Sequence, residues 1–170
     1  FLKVSFDVEH WARVASERYP NGLPPPHSRE PTQWLFSGNP AGALAPLQVA
    51  VCRLVAYRWP RQTGATFEDC VALGNDGLES HADRDGVVAL NPVKGEQPGA
   101  ARLIALLADA FGEEWSAAKL DALLVDAGFA GKSLDDWLRD GFFEQHCELF
   151  HQRPFVWHVW DGRRDGFHAL

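Results

Sequence analysis

The chain has 170 residues, is 46% hydrophobic and carries a net charge of −7. This length and apolar content suffice for one buried core, and no apolar run approaches the ~18 residues of a membrane-spanning helix. The acidic balance argues against affinity for nucleic acid over the whole surface, and three widely spaced cysteines indicate neither a disulfide framework nor a zinc ribbon. These features predict a cytoplasmic protein without a membrane partner.

The chain contains no methionine and begins with Phe1. Because its last residues also look like an interrupted strand, we expect residues 1–170 to be a single domain or a fragment of a longer polypeptide. No basic and apolar signal segment stands at the start, so excision explains the missing initiator better than secretion does. Function is therefore considered for this piece and for its parent separately.

The first predicted elements are a strand over residues 1–8, whose apolar residues alternate, and a short helix through Arg13 to Tyr19. The proline-rich stretch 20–31 predicts an irregular loop or arm. Residues 44–58 are apolar nearly all round, which predicts a helix at the centre of the core. Residues 60–98 contain repeated glycines and predict a long irregular segment with one short strand at 86–90.

Helical periodicity dominates the second half and predicts helices at 99–111, 116–127 and 133–151. The C-terminal stretch then alternates as a strand, and two Asp-Gly pairs indicate the turn of a β-hairpin. The fold class predicted is α+β: mainly helical, with a few short strands and a C-terminal β-hairpin.

Gly131-Lys132-Ser133 looks like the end of a phosphate-binding P-loop. The position of the loop's first glycine is Asp126, however, and a helical pattern rather than a strand precedes it. We interpret Gly128 as the glycine that ends one helix, and Ser133 with Asp136 as the capping box that begins the next.

The histidines and cysteine of the stretch 146–151 could suggest a metal or nucleophile site. His146 lies well around the helix from His151, and a structural zinc needs four ligands. A core Cys147 with surface histidines is the simpler interpretation, and a cysteine nucleophile paired with His151 is the more distant one. Asn91-Pro92 begins a methyltransferase-like motif that the following residues do not complete, so we predict no catalytic residue, no metal ligand and no cofactor-binding residue in this chain.

Charge is unevenly distributed. Residues 31–67 contain no acid and three arginines, whereas residues 113–148 carry nine acids against three bases. We expect either a polarised molecule or, for the acidic stretch, the solvated faces of amphipathic helices.

The remaining constellation is the C-terminal ribbon, defined as residues 153–168. It brings cations together with aromatic rings, so it could follow phosphates and enter a groove of DNA. The alternative is a tryptophan-rich strand that completes the core. The candidate DNA-binding residues are Arg153, Trp157, His158, Trp160, Arg163 and Arg164.

Residues 30–62 and 133–170, above all the string RPFVWHVWDGRRDGFHAL, resemble the region that follows the catalytic core in large bacterial DNA adenine-N6 methyltransferases of restriction-modification and phage-exclusion systems. The resemblance implies that S-adenosylmethionine binds in the parent's catalytic core and that this chain holds no cofactor itself. It implies duplex DNA, met through the parent, and the catalytic core as partners.

Two functional hypotheses follow from this resemblance. The chain is either a non-catalytic DNA-engaging or target-recognition part of such a methyltransferase, or a scaffolding domain that packs on the core or on partner subunits. An independent metal or cysteine hydrolase is a distant third. The resemblance implies that the parent is an S-adenosylmethionine-dependent DNA adenine methyltransferase, whereas this chain itself lacks the catalytic motifs.

Overall fold

The computed structural model describes residues 7–20, 37–66 and 71–170. Over these ranges the chain has the predicted α+β fold, mainly helical with a short antiparallel hairpin near the C-terminus. The helices are α1 (Val8–Arg18), α2 (Pro46–Leu54), α3 (Gly99–Phe111), α4 (Ala117–Asp126), α5 (Leu134–Asp140) and α6 (Phe142–Leu149), and the strands are β1 (Val159–Trp160) and β2 (His168–Ala169). Short 3₁₀ helices span Pro40–Gly42, Pro60–Thr63, Leu78–His81 and Gly112–Glu114.

The predicted N-terminal strand is wrong where the structure describes it. Residues 1–6 lie outside the described ranges, and Asp7 accepts a hydrogen bond from the backbone N–H of His10 at 2.9 Å. That carboxylate satisfies a free N–H of the first turn, so Val8 begins helix α1 instead of ending a strand. Most of the predicted arm at 20–31 also lies outside the described residues.

Helix α2 is central, as predicted, but shorter than the predicted 44–58. Pro46 occupies its first position, and every residue from Leu47 to Leu54 is buried. Ala56 then adopts a left-handed backbone with φ of 64°, which cannot continue a helix. The apolar stretch therefore marks burial correctly but not helix length.

Arg53, one of the three arginines in the acid-free stretch 31–67, is buried. Its side chain is only 3% exposed, and its guanidinium donates to both Asp76 carboxylate oxygens, at 2.8 and 2.9 Å. Glu79 also accepts from it at 3.4 Å. The hydrogen bonds from Arg53 hold the pKa of the Asp76 carboxyl below its usual value. One of the three arginines thus belongs to a buried ion cluster rather than to a cationic surface.

Where the structure describes it, the segment 60–98 is mostly loop, with 3₁₀ helices at Pro60–Thr63 and Leu78–His81. Residues 67–70 lie outside the described ranges. In place of the strand predicted at 86–90, Ala89 forms a single antiparallel bridge with Ala169.

Helices α3 and α4 lie where the periodicity predicts them, but the helix predicted over 133–151 is wrong as one element. It is divided at Gly141 into α5 and α6. A side chain at Gly141 would overlap the ring of Phe129, so that ring packs directly against the backbone at the bend. The bend is therefore a packing requirement that the periodicity of the sequence does not reveal.

The capping box at the start of α5 is confirmed. The Ser133 hydroxyl accepts from the Asp136 N–H, and Asp136 accepts from the Ser133 N–H, both at 3.1 Å. Gly128, with φ of 76°, follows the end of α4. The triplet 131–133 is a helix start.

The core is formed mainly by α2 and α3, with α5 against α3 and α6 against α5. Strand β2 lies beside residues 88–90: Val88 and Leu170 exchange backbone hydrogen bonds at 2.9 and 3.0 Å, and Leu90 N–H donates to His168 C=O at 2.8 Å. The hairpin is thereby attached to the domain along one edge. Among the described residues, no helix is long and apolar enough to cross a membrane.

Candidate functional site

The base of the ribbon is held by a buried histidine. His146 is fully buried, and its Nε2 accepts the backbone N–H groups of Phe155 and Val156 at 3.3 and 3.2 Å. Because Nε2 accepts, the ring proton is on Nδ1, which donates to Gln48 Oε1 at 3.2 Å. Burial lowers the pKa of His146 to about 4, so the ring is neutral at pH 7. The expectation of a surface histidine at this position is wrong.

Phe155 adds an apolar anchor to this polar one. Its ring lies 4.2 Å from the ring of Tyr57, 4.6 Å from that of Phe150 and 4.7 Å from that of His146, measured between centroids. Aromatic pairs at such distances add to the stability that area burial supplies. The ribbon thus starts from a rigid base.

The turn of the ribbon is organised by Asp161. Its carboxylate accepts the Arg163 N–H at 3.0 Å, and the Gly166 N–H donates to the Arg163 carbonyl at 3.0 Å. Any side chain at Gly166 would overlap the Asp161 carboxylate. A side chain at residue 166 would therefore displace the carboxylate that accepts the Arg163 N–H.

His168 supports the turn through hydrogen bonds to two of its backbone carbonyl groups. It is 3% exposed, and its Nε2 lies 3.2 Å from the carbonyl oxygen of Arg163 and 3.1 Å from that of Arg164. Nε2 must donate to these carbonyls, so His168 Nδ1 accepts from His158 Nε2 at 2.9 Å. The pKa of His158 is lowered, first by burial and second by the proximity of His168, whereas the Asp140 carboxylate acts to raise it. Through this hydrogen bond the two rings join the residue before β1 to the arginine-bearing turn.

The two tryptophans among the candidate residues are not part of the core. Trp157 is 61% exposed and Trp160 is 53% exposed, although Trp157 lies beside Phe143 and Trp160 stacks on His168. The alternative in which a tryptophan-rich strand completes the core holds only for Phe155 and Val156, at the base of the ribbon.

The arginines are also exposed, but their surroundings differ. Arg163 and Arg164 are neighbours in the turn, and the Arg164 guanidinium lies 3.6 Å from the Asp140 carboxylate. Arg153 precedes the strand, where its N–H donates to the Phe150 carbonyl at 3.0 Å. The structure therefore brings Arg163 and Arg164 together with His158 and Trp160, whereas Trp157 and Arg153 lie closer to the base.

A cleft of about 430 Å³ opens beside the turn. Its walls carry charges of both signs, from Arg139 and Arg164 and from Asp135 and Asp165. Asn91 also lines it, and its amide oxygen accepts the His168 N–H at 3.2 Å. Neither this cleft nor the contact of Asp140 with Arg164 could be predicted from the sequence, because α5 and the turn meet only in the folded chain.

The alternative chemistry of the stretch 146–151 finds little support in the geometry. Both ring nitrogens of His146 are engaged in the hydrogen bonds given above. In the part of the chain that the structure describes, no group of three or more His, Cys, Asp or Glu side chains is arranged to hold a metal ion. Cys52 is fully buried, and burial raises the pKa of its thiol.

No family model, no curated protein and no solved structure matches this chain.

Proposed function

We propose that this chain is a non-catalytic part of a site-specific DNA adenine-N6 methyltransferase, in which the ribbon engages duplex DNA. The observation that carries the proposal is the turn, where Arg163 and Arg164 project from a backbone held by Asp161 and His168. A two-stranded ribbon fits the major groove, and arginines serve as phosphate or guanine contacts. The resemblance of the string 153–170 to such methyltransferases supports the same function.

The turn is suited to this role because its backbone is organised before DNA arrives. Hydrogen bonds from His168 and to Asp161 fix the turn, so binding would order only the two arginine side chains. Trp160, stacked on His168, would shape the ribbon face beside the arginines. In this proposal S-adenosylmethionine and the target adenine belong to the parent's catalytic core.

The test is an Arg163→Ala, Arg164→Ala double variant of the full polypeptide, titrated with cognate and non-cognate duplex at several salt concentrations. Loss of two phosphate contacts should weaken binding to every sequence and reduce the salt slope by about two units. Loss of a base contact should instead relax discrimination at one position by about 1–3 kcal/mol.

A matched control is the Arg58→Ala, Arg84→Ala double variant, which removes the same charge from two exposed positions outside the ribbon. Equal effects of the two double variants would mean that net charge alone matters. Unchanged affinity, slope and discrimination in the folded Arg163 and Arg164 variant would leave the ribbon without a role in DNA binding.

A specific observation favours scaffolding as a second candidate function. Three exposed apolar side chains, Trp157, Val159 and Trp160, follow one another along the ribbon, and acids at Asp140 and Asp161 adjoin its arginines. Exposed apolar patches are typical of protein interaction sites. Trp157→Ser with Val159→Ser should then weaken association with the catalytic core without changing the salt slope of DNA binding. If association persists, this candidate is eliminated.

A further inference from the structure

A second candidate surface lies on the helical side of the domain, outside the ribbon. A groove of about 430 Å³ opens between the start of α2 and the C-terminal ends of α4 and α6. Its lining includes the large apolar side chains of Leu44, Leu47, Leu123, Trp137 and Leu149. Leu44 at its mouth is fully exposed. The volume lies within the range of about 300–1,000 Å³ that is typical of binding sites.

The floor of this groove is preformed. The Trp137 indole N–H donates to Gln145 Oε1 at 2.9 Å, and Gln145 Nε2 donates to the Ala127 carbonyl at 2.8 Å. These two bonds tie α5, α6 and the end of α4 together around the groove. A ligand would therefore meet a surface that needs little rearrangement.

The electrostatics of the groove select one sign of charge. Among the residues that the structure describes, the ionisable side chains in its lining are Asp126 and Glu148, both exposed, and the lining includes no lysine, arginine or histidine. Helix α4 ends at Asp126 and α6 ends at Leu149, so two helix C-termini add partial negative charge. The start of α2 also lines the groove, and the partial charge of this helix N-terminus has the opposite sign. The site is apolar at its floor and negative at its rim.

We propose that this groove binds a segment of a partner protein that inserts bulky apolar side chains and carries lysine or arginine beside them. An amphipathic helix in an apolar groove is a common mode of peptide recognition. A second copy of this chain fits poorly, because each copy carries a net charge of −7. DNA fits poorly as well, since phosphates would face Asp126 and Glu148. The inference is independent of the function proposed for the ribbon.

The probe is a synthetic, fluorescently labelled helical peptide of about 15 residues, or four turns, with leucines along one face and lysines beside them. Its partner probe has glutamate in place of each lysine. We expect the lysine peptide to bind about tenfold more tightly than the glutamate peptide in anisotropy titrations at low salt. Leu44→Ser should weaken binding of the lysine peptide.

The Asp126→Asn, Glu148→Gln double variant should abolish most of the preference for lysine. Its matched control is Asp121→Asn with Glu144→Gln, which removes the same charge from exposed positions outside the groove and should retain the preference. The proposal would be overturned if the two peptides bound equally well, or if both double variants lost the preference for the lysine peptide to the same extent. Self-association in sedimentation experiments that Leu44→Ser abolishes would overturn it too, because a second copy would then occupy the groove.

Discussion

The buried His146 should make the stability of this domain depend on pH between 7.5 and 5. Its ring accepts two backbone N–H groups at Nε2, and protonation of that nitrogen would convert the acceptor into a donor facing two donors. Protonation must therefore break the anchor of the ribbon. The perturbation is acidification, and its comparison is His146→Gln, which keeps hydrogen-bonding groups but cannot titrate in this range.

The size of the effect follows from the pKa of about 4 in the folded protein against 6.5 for an ordinary histidine. Because burial depresses the folded pKa, the unfolded chain binds more protons below pH 6.5, and stability is lost as the pH falls from there towards 4. Protonation of this histidine should lower the free energy of unfolding by about 2 kcal/mol when the pH falls from 7.5 to 5. His158, whose pKa is lowered as well, acts in the same direction.

The assay is urea unfolding, followed by far-UV circular dichroism, at pH 7.5 and pH 5 for the wild type and two variants. The difference in free energy of unfolding between pH 7.5 and pH 5 should be about 2 kcal/mol smaller in His146→Gln than in the wild type, whatever the absolute stability of the variant. His151→Gln, an exposed histidine just beyond the same helix, is the matched control and should keep the wild-type dependence. The carboxyls with lowered pKa values, such as Asp76, titrate below this window.

An unchanged pH difference in folded His146→Gln would refute this reasoning. It would mean that the ring is hydrated enough to be protonated in place, or that the ribbon detaches without cost. Loss of the dependence in His151→Gln as well would show that the effect comes from the net charge of the chain.

Further changes test the cap, the ion cluster, the helix bend and the absence of a cofactor site. Ser133→Ala should lower the free energy of unfolding by about 0.5–2 kcal/mol through loss of the N-cap, with or without ATP; a rise in melting temperature with ATP would contradict the interpretation as a helix start. Arg53→Met should cost about 3–5 kcal/mol in urea unfolding, because it leaves the part-buried Asp76 and Glu79 carboxylates without their cation; a cost below about 1 kcal/mol would show that water reaches the cluster. Gly141→Ala should destabilise the domain by about 1–3 kcal/mol through overlap with the Phe129 ring, and Phe129→Leu in the same chain should restore part of the loss measured by thermal unfolding; additive effects would exclude this contact as the cause. The isolated chain should show no saturable binding of S-adenosylmethionine in calorimetry, and micromolar binding would contradict the assignment of the cofactor to another part of the polypeptide.

Features that depend on neighbours in sequence could be predicted from the sequence. Helix α3 begins directly after Pro98, and α4 begins after the Ser116 cap, so local backbone chemistry set both positions. The capping box of Ser133 is equally local, as is the left-handed glycine at 128. Such signals act within one helical turn and need no knowledge of the fold.

Features that depend on contacts between residues far apart in the chain could not be predicted from the sequence. Arg53 looked like a surface cation because the acids that bind it come 23 and 26 residues later, in an irregular segment. His146 looked like a surface histidine because Gln48, which accepts from its ring, lies 98 residues away along the chain. Burial of a polar side chain is decided by its partners, and only tertiary packing brings those partners to it: α2 packs beside the segment around 76–81 for Arg53, and beside α6 for His146.

The ribbon combines both cases. Its turn follows from Asp161 and Gly166, which are turn residues by their own chemistry. The orientation of the ribbon could not be predicted in this way. Both faces of the alternating stretch 155–160 are apolar and aromatic, so the alternation does not show which face is buried. Tertiary packing decides this: His146 holds the backbone at residues 155 and 156, the Phe155 ring enters the aromatic cluster, and Trp157 and Trp160 remain exposed to solvent.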